Sequence, residues 1–193
     1  MDFWDCLNRM LRLAIWQGID EWRAEAARVD LGPRGLGATG TQIGADPAPY
    51  RLDYELEVGS GWITTRLSVQ VTSAVGERGL LLEHDARGGW RRDGAAAPEL
   101  DGALDCDLGL SPLTNLMPVR RHALHERAGV AEILAAWVSV PDLSLHASRQ
   151  RYEHVRPGVV RFTDLGVHEG FTAELELDAD GLVLLYPELA RRL

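Results

Sequence analysis

The sequence predicts an all-β protein built on one antiparallel sheet, and three separate stretches carry that prediction. Leu52, Tyr54, Leu56 and Val58 alternate with Asp53, Glu55 and Glu57. Ile63, Leu67, Val69 and Val71 alternate with Thr64, Arg66, Ser68 and Gln70, and Phe171, Ala173, Leu175 and Leu177 with Thr172, Glu174 and Glu176. Side chains on a strand point to opposite faces in turn, so each stretch reads as a strand with one dry and one wet face. Turn signals separate such stretches at short intervals: Gly59-Ser60-Gly61, Gly88-Gly89, Asp93-Gly94, Asp101-Gly102 and Asp178-Ala179-Asp180-Gly181. Closely spaced turns between alternating strands indicate an antiparallel meander.

From the amino terminus, Phe3, Leu7, Met10 and Ala14 recur at helical spacing behind a possible Asp2 cap. They predict a short amphipathic helix over Asp2 to Leu11, and the expected division is a helix over 1–12 followed by one β domain over 13–193. The glycine-rich segment Gly32 to Gly44 has no alternating strand feeding a helix around it, so turns and bulges explain it better than a nucleotide site. Gly79-Leu80-Leu81-Leu82 and Leu182 to Tyr186 are apolar on both faces, which predicts a sheet covered on both sides there, or bordering an apolar cavity. Val130 to Val140 is alanine-rich and helical by propensity. Trp137, Val138 and Val140, with a stop at Pro141, instead favour a strand.

Composition limits the function. With 193 residues, 46% of them hydrophobic, the chain can bury a core as one domain. Its net charge of −9 comes from 29 acids against 20 bases, all of them arginine, and opposes nucleic acid or anionic bilayers as partners. Cys6 and Cys106 are too far apart for a disulfide framework or paired metal ligands and read as free thiols in a reducing compartment. Asp2 and Asp5 acidify the start, Arg9 and Arg12 interrupt the only nearby apolar run, and nothing approaches a membrane-spanning length. The expected location is therefore cytoplasmic. The six histidines lack partners at ligand spacing, so neither a metal nor a cofactor is expected.

The chemistry concentrates in Leu104 to Arg121, LDCDLGLSPLTNLMPVRR. Asp105 and Asp107 share a face if extended, about 6.6 to 6.8 Å apart along the strand, a separation that suits a glycosidase carboxylate pair. The alternative is an ion pair with Arg120 or Arg121 folding back from one connection later. Pro112 and Pro118 fix the backbone at two points, and Thr114-Asn115 between them can bond local backbone groups. The product is a rigid connection, either a plug joining two halves of the sheet or a wall presenting Thr114, Asn115 and Arg120 to sugar hydroxyls. Six tryptophans, including Trp62 and Trp137, fill a core or offer faces on which sugars and acyl chains pack.

This run, with its Cys-Asp, Pro-x-Thr-Asn and Pro-x-Arg-Arg elements, and the tail GFTAELELDADGLVLLYPELARR together resemble the putative glycolipid-binding family of bacterial proteins. The resemblance covers Ile15 to the carboxyl terminus. It implies a strand at Trp22 to Val29, and a long, strongly curved antiparallel sheet forming a closed or partly closed barrel, similar to the half-barrel lipoprotein carriers of the bacterial envelope. It also implies non-catalytic binding of a lipid or glycolipid in an apolar concavity. Thr114, Asn115, Arg120, Asp107, Trp62 and Trp137 are the ligand-binding candidates, and no catalytic residue is assigned. Two alternatives stay open: an acid-base enzyme, using Asp105 and Asp107 as a glycoside hydrolase or Asp107 with Arg120, and a protein-interaction module whose barrel is filled.

Overall fold

The computed structural model describes residues 10–85 and 88–193. The first eight strands are β1 (Met10–Gly18), β2 (Arg23–Leu31), β3 (Leu36–Gly44), β4 (Tyr50–Gly59), β5 (Ile63–Ser73), β6 (Gly76–His84), β7 (Trp90–Arg92) and β8 (Ala95–Ala96). The remaining seven are β9 (Asp105–Leu108), β10 (Val130–Val138), β11 (Leu145–Arg156), β12 (Val159–Asp164), β13 (Thr172–Leu177), β14 (Val183–Tyr186) and β15 (Ala190–Arg192). All belong to one sheet, in the order β8-β7-β6-β5-β4-β3-β2-β1-β15-β14-β13-β12-β11-β10-β9. The all-β expectation holds, with β2 and β10 as the strands expected at Trp22 to Val29 and at Val130 to Val140. The expected amino-terminal helix falls, for residues 1–9, outside the described residues. Met10, Leu11 and Arg12, assigned to that helix, instead open β1 and pair with Leu31, Asp30 and Val29.

Every neighbouring pair is antiparallel except β9 and β10. The two edge strands, β8 and β9, do not pair with each other, so of the closed or partly closed barrel expected the closed form is corrected: the sheet is curved and is not closed by hydrogen bonds. The sheet curves far enough to bring β9 against the start of β5, beyond the end of β6. There Thr64 N donates to Leu104 O at 3.0 Å and Cys106 N donates to Thr64 Oγ1 at 3.0 Å. Thr64 is buried although the alternation puts it on the wet face: the register shifts between Glu57 and Val58, which leaves Thr65 without a partner and changes the phase. The doubly apolar runs do not mark two covered faces either, since Leu184 is 38% exposed and Leu81 only half-buried.

A parallel pair requires a crossover connection, and this one, residues 109–129, runs through the concavity of the sheet. Ser111 starts it by accepting a hydrogen bond from Leu113 N, followed by a 3₁₀ turn at Pro112–Asn115 and one short helix, α1 (Leu116–Arg121). Leu113, Leu116 and Met117 enter the core formed by β1 to β7 with β9, β10 and β15, while Val119 and Leu124 enter a second core over β10 to β14. The crossover is thus a wedge shared by both halves of the sheet. Each of these buried aliphatic side chains contributes about 1.5–3 kcal/mol relative to exposure.

Candidate functional site

Between the wedge and β10 to β14 the filling is incomplete, leaving a cleft of about 440 Å³. Trp137, Phe162, Phe171 and Tyr186 form its aromatic walls, and Leu108, Leu110, Val140 and Leu189 its aliphatic lining. Phe162, Phe171 and Tyr186 cluster with ring centroids 6.2–6.3 Å apart. Trp137 is met edge-on by His168 at 5.4 Å. The polar lining is Asp107, Ser111, Asn115, Ser139, Asp164 and His168.

β9 places Asp105 and Asp107 on one side of the strand, but their surroundings separate them. Asp105 is 1% exposed and paired with Arg121 through both guanidinium arms, Nη1 donating to Oδ1 at 2.8 Å and Nη2 to Oδ2. The expected ion pair is present, with Arg121 as the partner. Burial still raises the Asp105 carboxyl pKa above the usual range, outweighing the arginine. Asp107 has neutral donors instead, Thr114 Oγ1 at 2.8 Å and Gln150 Nε2 at 2.6 Å. Its pKa is raised by burial, against the lowering effect of those two bonds. Tyr152 continues the network, sharing one hydroxyl proton between Asn115 Oδ1 and Gln150 Oε1, both at 3.1 Å. Asp164 accepts from Gly166 N at 2.7 Å and lies 3.4 Å from His168 Nδ1.

Of the six candidates from the sequence, Asp107, Asn115 and Trp137 border the cleft. Thr114 stands behind Asp107, buried and bonded to it. Trp62 and Arg120 lie elsewhere and stack on each other, the guanidinium carbon 4.9 Å from the ring centroid. Arg120 also donates to Asp180 O at 3.3 Å. Phe162, Asp164 and Phe171 were not anticipated as lining, whereas Tyr186 ends the doubly apolar run Leu182 to Tyr186, for which an apolar cavity was one of the two expectations. For the first two a signal was present: Val160, Phe162 and Asp164 alternate, which puts a carboxylate at the end of a dry face.

A second unanticipated carboxyl group anchors the wedge. Glu25 is 4% exposed and accepts from Tyr54 Oη at 2.6 Å, Ser111 Oγ at 2.8 Å and Gln42 Nε2 at 3.3 Å. Burial pushes its pKa up to about 7, and the three hydrogen bonds only partly oppose this. Tyr54 reaches Glu25, two strands away, because Gly40 stands opposite it on β3: a Cβ there would lie 2.3 Å from the ring. Gly44 leaves the same space for Tyr50.

Among the described residues no group of His, Cys, Asp or Glu is placed to hold a metal ion, and no helix is long and apolar enough to cross a membrane.

One curved open sheet, an internal wedge and an aromatic-walled cleft define a single-sheet β protein with a ligand-sized opening in its concave side. The chain belongs to the putative glycolipid-binding family, whose sequence model matches residues 13–192. A similar solved structure is the crystal structure, at 1.80 Å resolution, of a DUF1089 family protein from Pseudomonas aeruginosa. That protein is 32% identical, with a TM-score of 0.76 over 92% of this chain and 95% of its own. No curated protein matches the chain with significant similarity.

Proposed function

We propose that the protein binds a lipid or glycolipid in the cleft between the wedge and β10 to β14, without transforming it. The observation that carries this reading is the lining: about 440 Å³ bounded by four aromatic and four aliphatic side chains, with the polar groups gathered around Asp107, Asn115 and Asp164. Small-molecule sites have this size and balance. Aromatic faces pack on pyranose C–H groups and on acyl chains, and the carboxylates accept hydrogen bonds from hydroxyls. The family assignment supports the same ligand class. Native mass spectrometry of freshly purified protein tests the proposal. A co-purifying lipid, lost in a Trp137→Ala, Phe171→Ala variant, is the expected result; identical spectra for the two proteins would remove the cleft from consideration.

One observation favours a second reading. Asp107 is a carboxyl group of raised pKa on an open cleft, held by the neutral donors Thr114 and Gln150, the environment of a general acid. Its partner would be Asp164, because Asp105 is occupied by Arg121. Hydrolysis of aryl glycosides that Asp107→Asn abolishes would establish this reading over simple binding.

A further inference from the structure

We infer that the cleft selects a neutral or amine-bearing sugar headgroup and rejects one carrying sulfate, phosphate or a free carboxylate. The inference rests on the binding reading and narrows the ligand class. All the basic side chains of the protein are arginine, yet among the described residues none of these lines the cleft. Its acidic and imidazole lining is Asp107, Asp164 and His168, and the histidine faces Asp164 at 3.4 Å. Two residues before Asp107, Asp105 takes the nearby guanidinium of Arg121 for itself, and neither of the two lines the cleft. The adjacent cation is therefore engaged where it cannot meet a ligand.

The donors on Asp107 are a hydroxyl and an amide, which leave lone pairs free for further donors. Sugar hydroxyls and ammonium groups are such donors; a sulfate or phosphate oxygen is not. As a carboxylate Asp107 repels an anion, protonated it supplies one O–H and no positive charge, and Asp164 adds a second carboxyl group to the lining. The aromatic walls act in the same direction, since their faces attract C–H groups and cations and repel anions. Placing an anion about 6 Å from a carboxylate in a half-desolvated cleft weakens binding by at least about tenfold.

Calorimetric titration with octyl glucoside, octyl glucosaminide and octyl glucoside sulfate, below their micelle concentrations, tests this. The first two should bind, and the sulfate at least about tenfold more weakly. Asp164→Asn should narrow the gap. Phe171→Arg, at a part-exposed position on the rim that tolerates a long side chain, should reverse it. Equal or tighter binding of the sulfate by the wild type overturns the headgroup inference while leaving lipid binding intact. Absence of binding by all three overturns both.

Discussion

Arg121 grips Asp105 with both arms of its guanidinium and with the same Nη1 donates to Trp62 O at 2.9 Å, joining α1 to β9 and to the turn before β5. The two side chains are 12% and 2% exposed, so water replaces little of this interaction if one partner is removed. Arg121→Ala should therefore cost about 3–5 kcal/mol by leaving a buried carboxyl without its counter-charge. Arg120→Ala loses a longer bond and a ring contact, and should cost about 1 kcal/mol. Urea unfolding of both variants checks the contrast. Equal losses would mean that the pair is not what fastens the wedge.

Glu25 makes the protein's stability depend on pH in the direction opposite to a salt-bridged acid. Its folded pKa of about 7 lies above its usual 4.5, so the folded state holds this proton more tightly than the unfolded chain. The stabilisation is fully present below about pH 4.5 and is lost as pH rises through about 7, a span of about 3 kcal/mol. Glu25→Gln cannot ionise, and its amide can donate to Gln42 Oε1, a buried acceptor that has no partner. Relative to the wild type, the variant should gain stability between pH 5 and 8. Parallel stability curves would show that Glu25 does not titrate in this range.

Gly40→Ala sets a methyl group against the Tyr54 ring and should push the hydroxyl off Glu25. Overpacking and the lost bond together should destabilise by about 2–4 kcal/mol. Tyr54→Phe keeps the ring and loses only the bond, so it should cost less, about 1.5–3 kcal/mol. If the two variants are equal, the ring has moved aside without strain.

For the cleft, affinity for alkyl glycosides should rise with chain length by up to about 0.8 kcal/mol per methylene until the apolar lining is covered, then level off. Trp137→Ala should lower the whole series by about 1–2 kcal/mol while keeping its slope, because Trp137 stands beside the polar group of Asp107 as its register partner on β10. Fluorescence titration of the series measures both; a flat series argues against an acyl chain in the cleft.

The strands were legible because most have one wet face, so that charge and burial alternate along them, as in β4 and β13. The wedge was legible as a rigid connection through Pro112 and Pro118, and its ion pair through the closeness of two acids to two arginines. The cleft was not. Its walls come from β9, β10, β12, β14 and the loop before β13, and only the curl of the sheet brings Phe162, Phe171 and Tyr186 opposite Trp137. Glu25 left a readable trace, in phase with Ala27, Val29 and Leu31 on the buried face of β2, but its partners Tyr54 and Ser111 are 29 and 86 residues away. Arg120 was misleading because it precedes Arg121 directly, and neighbouring residues on a helix do not face the same way.

The strand order also bears on how the chain assembles. Every pairing in the sheet joins strands consecutive in the chain except β1 with β15. Each half, β1 to β8 and β9 to β15, can thus zip up largely through short turns at low loop-closure cost, whereas the seam between β1 and β15 waits for nearly the whole polypeptide. Pulse-labelled hydrogen exchange should find amides at the β4–β5 and β10–β11 pairings protected before Leu193 N, which bonds Ile15 O across the seam. Because β9, β10 and β15 share one core with β1 to β7, and the wedge reaches into both cores, the two runs of strands should complete each other only once the seam has formed, and the finished sheet should unfold as one cooperative unit.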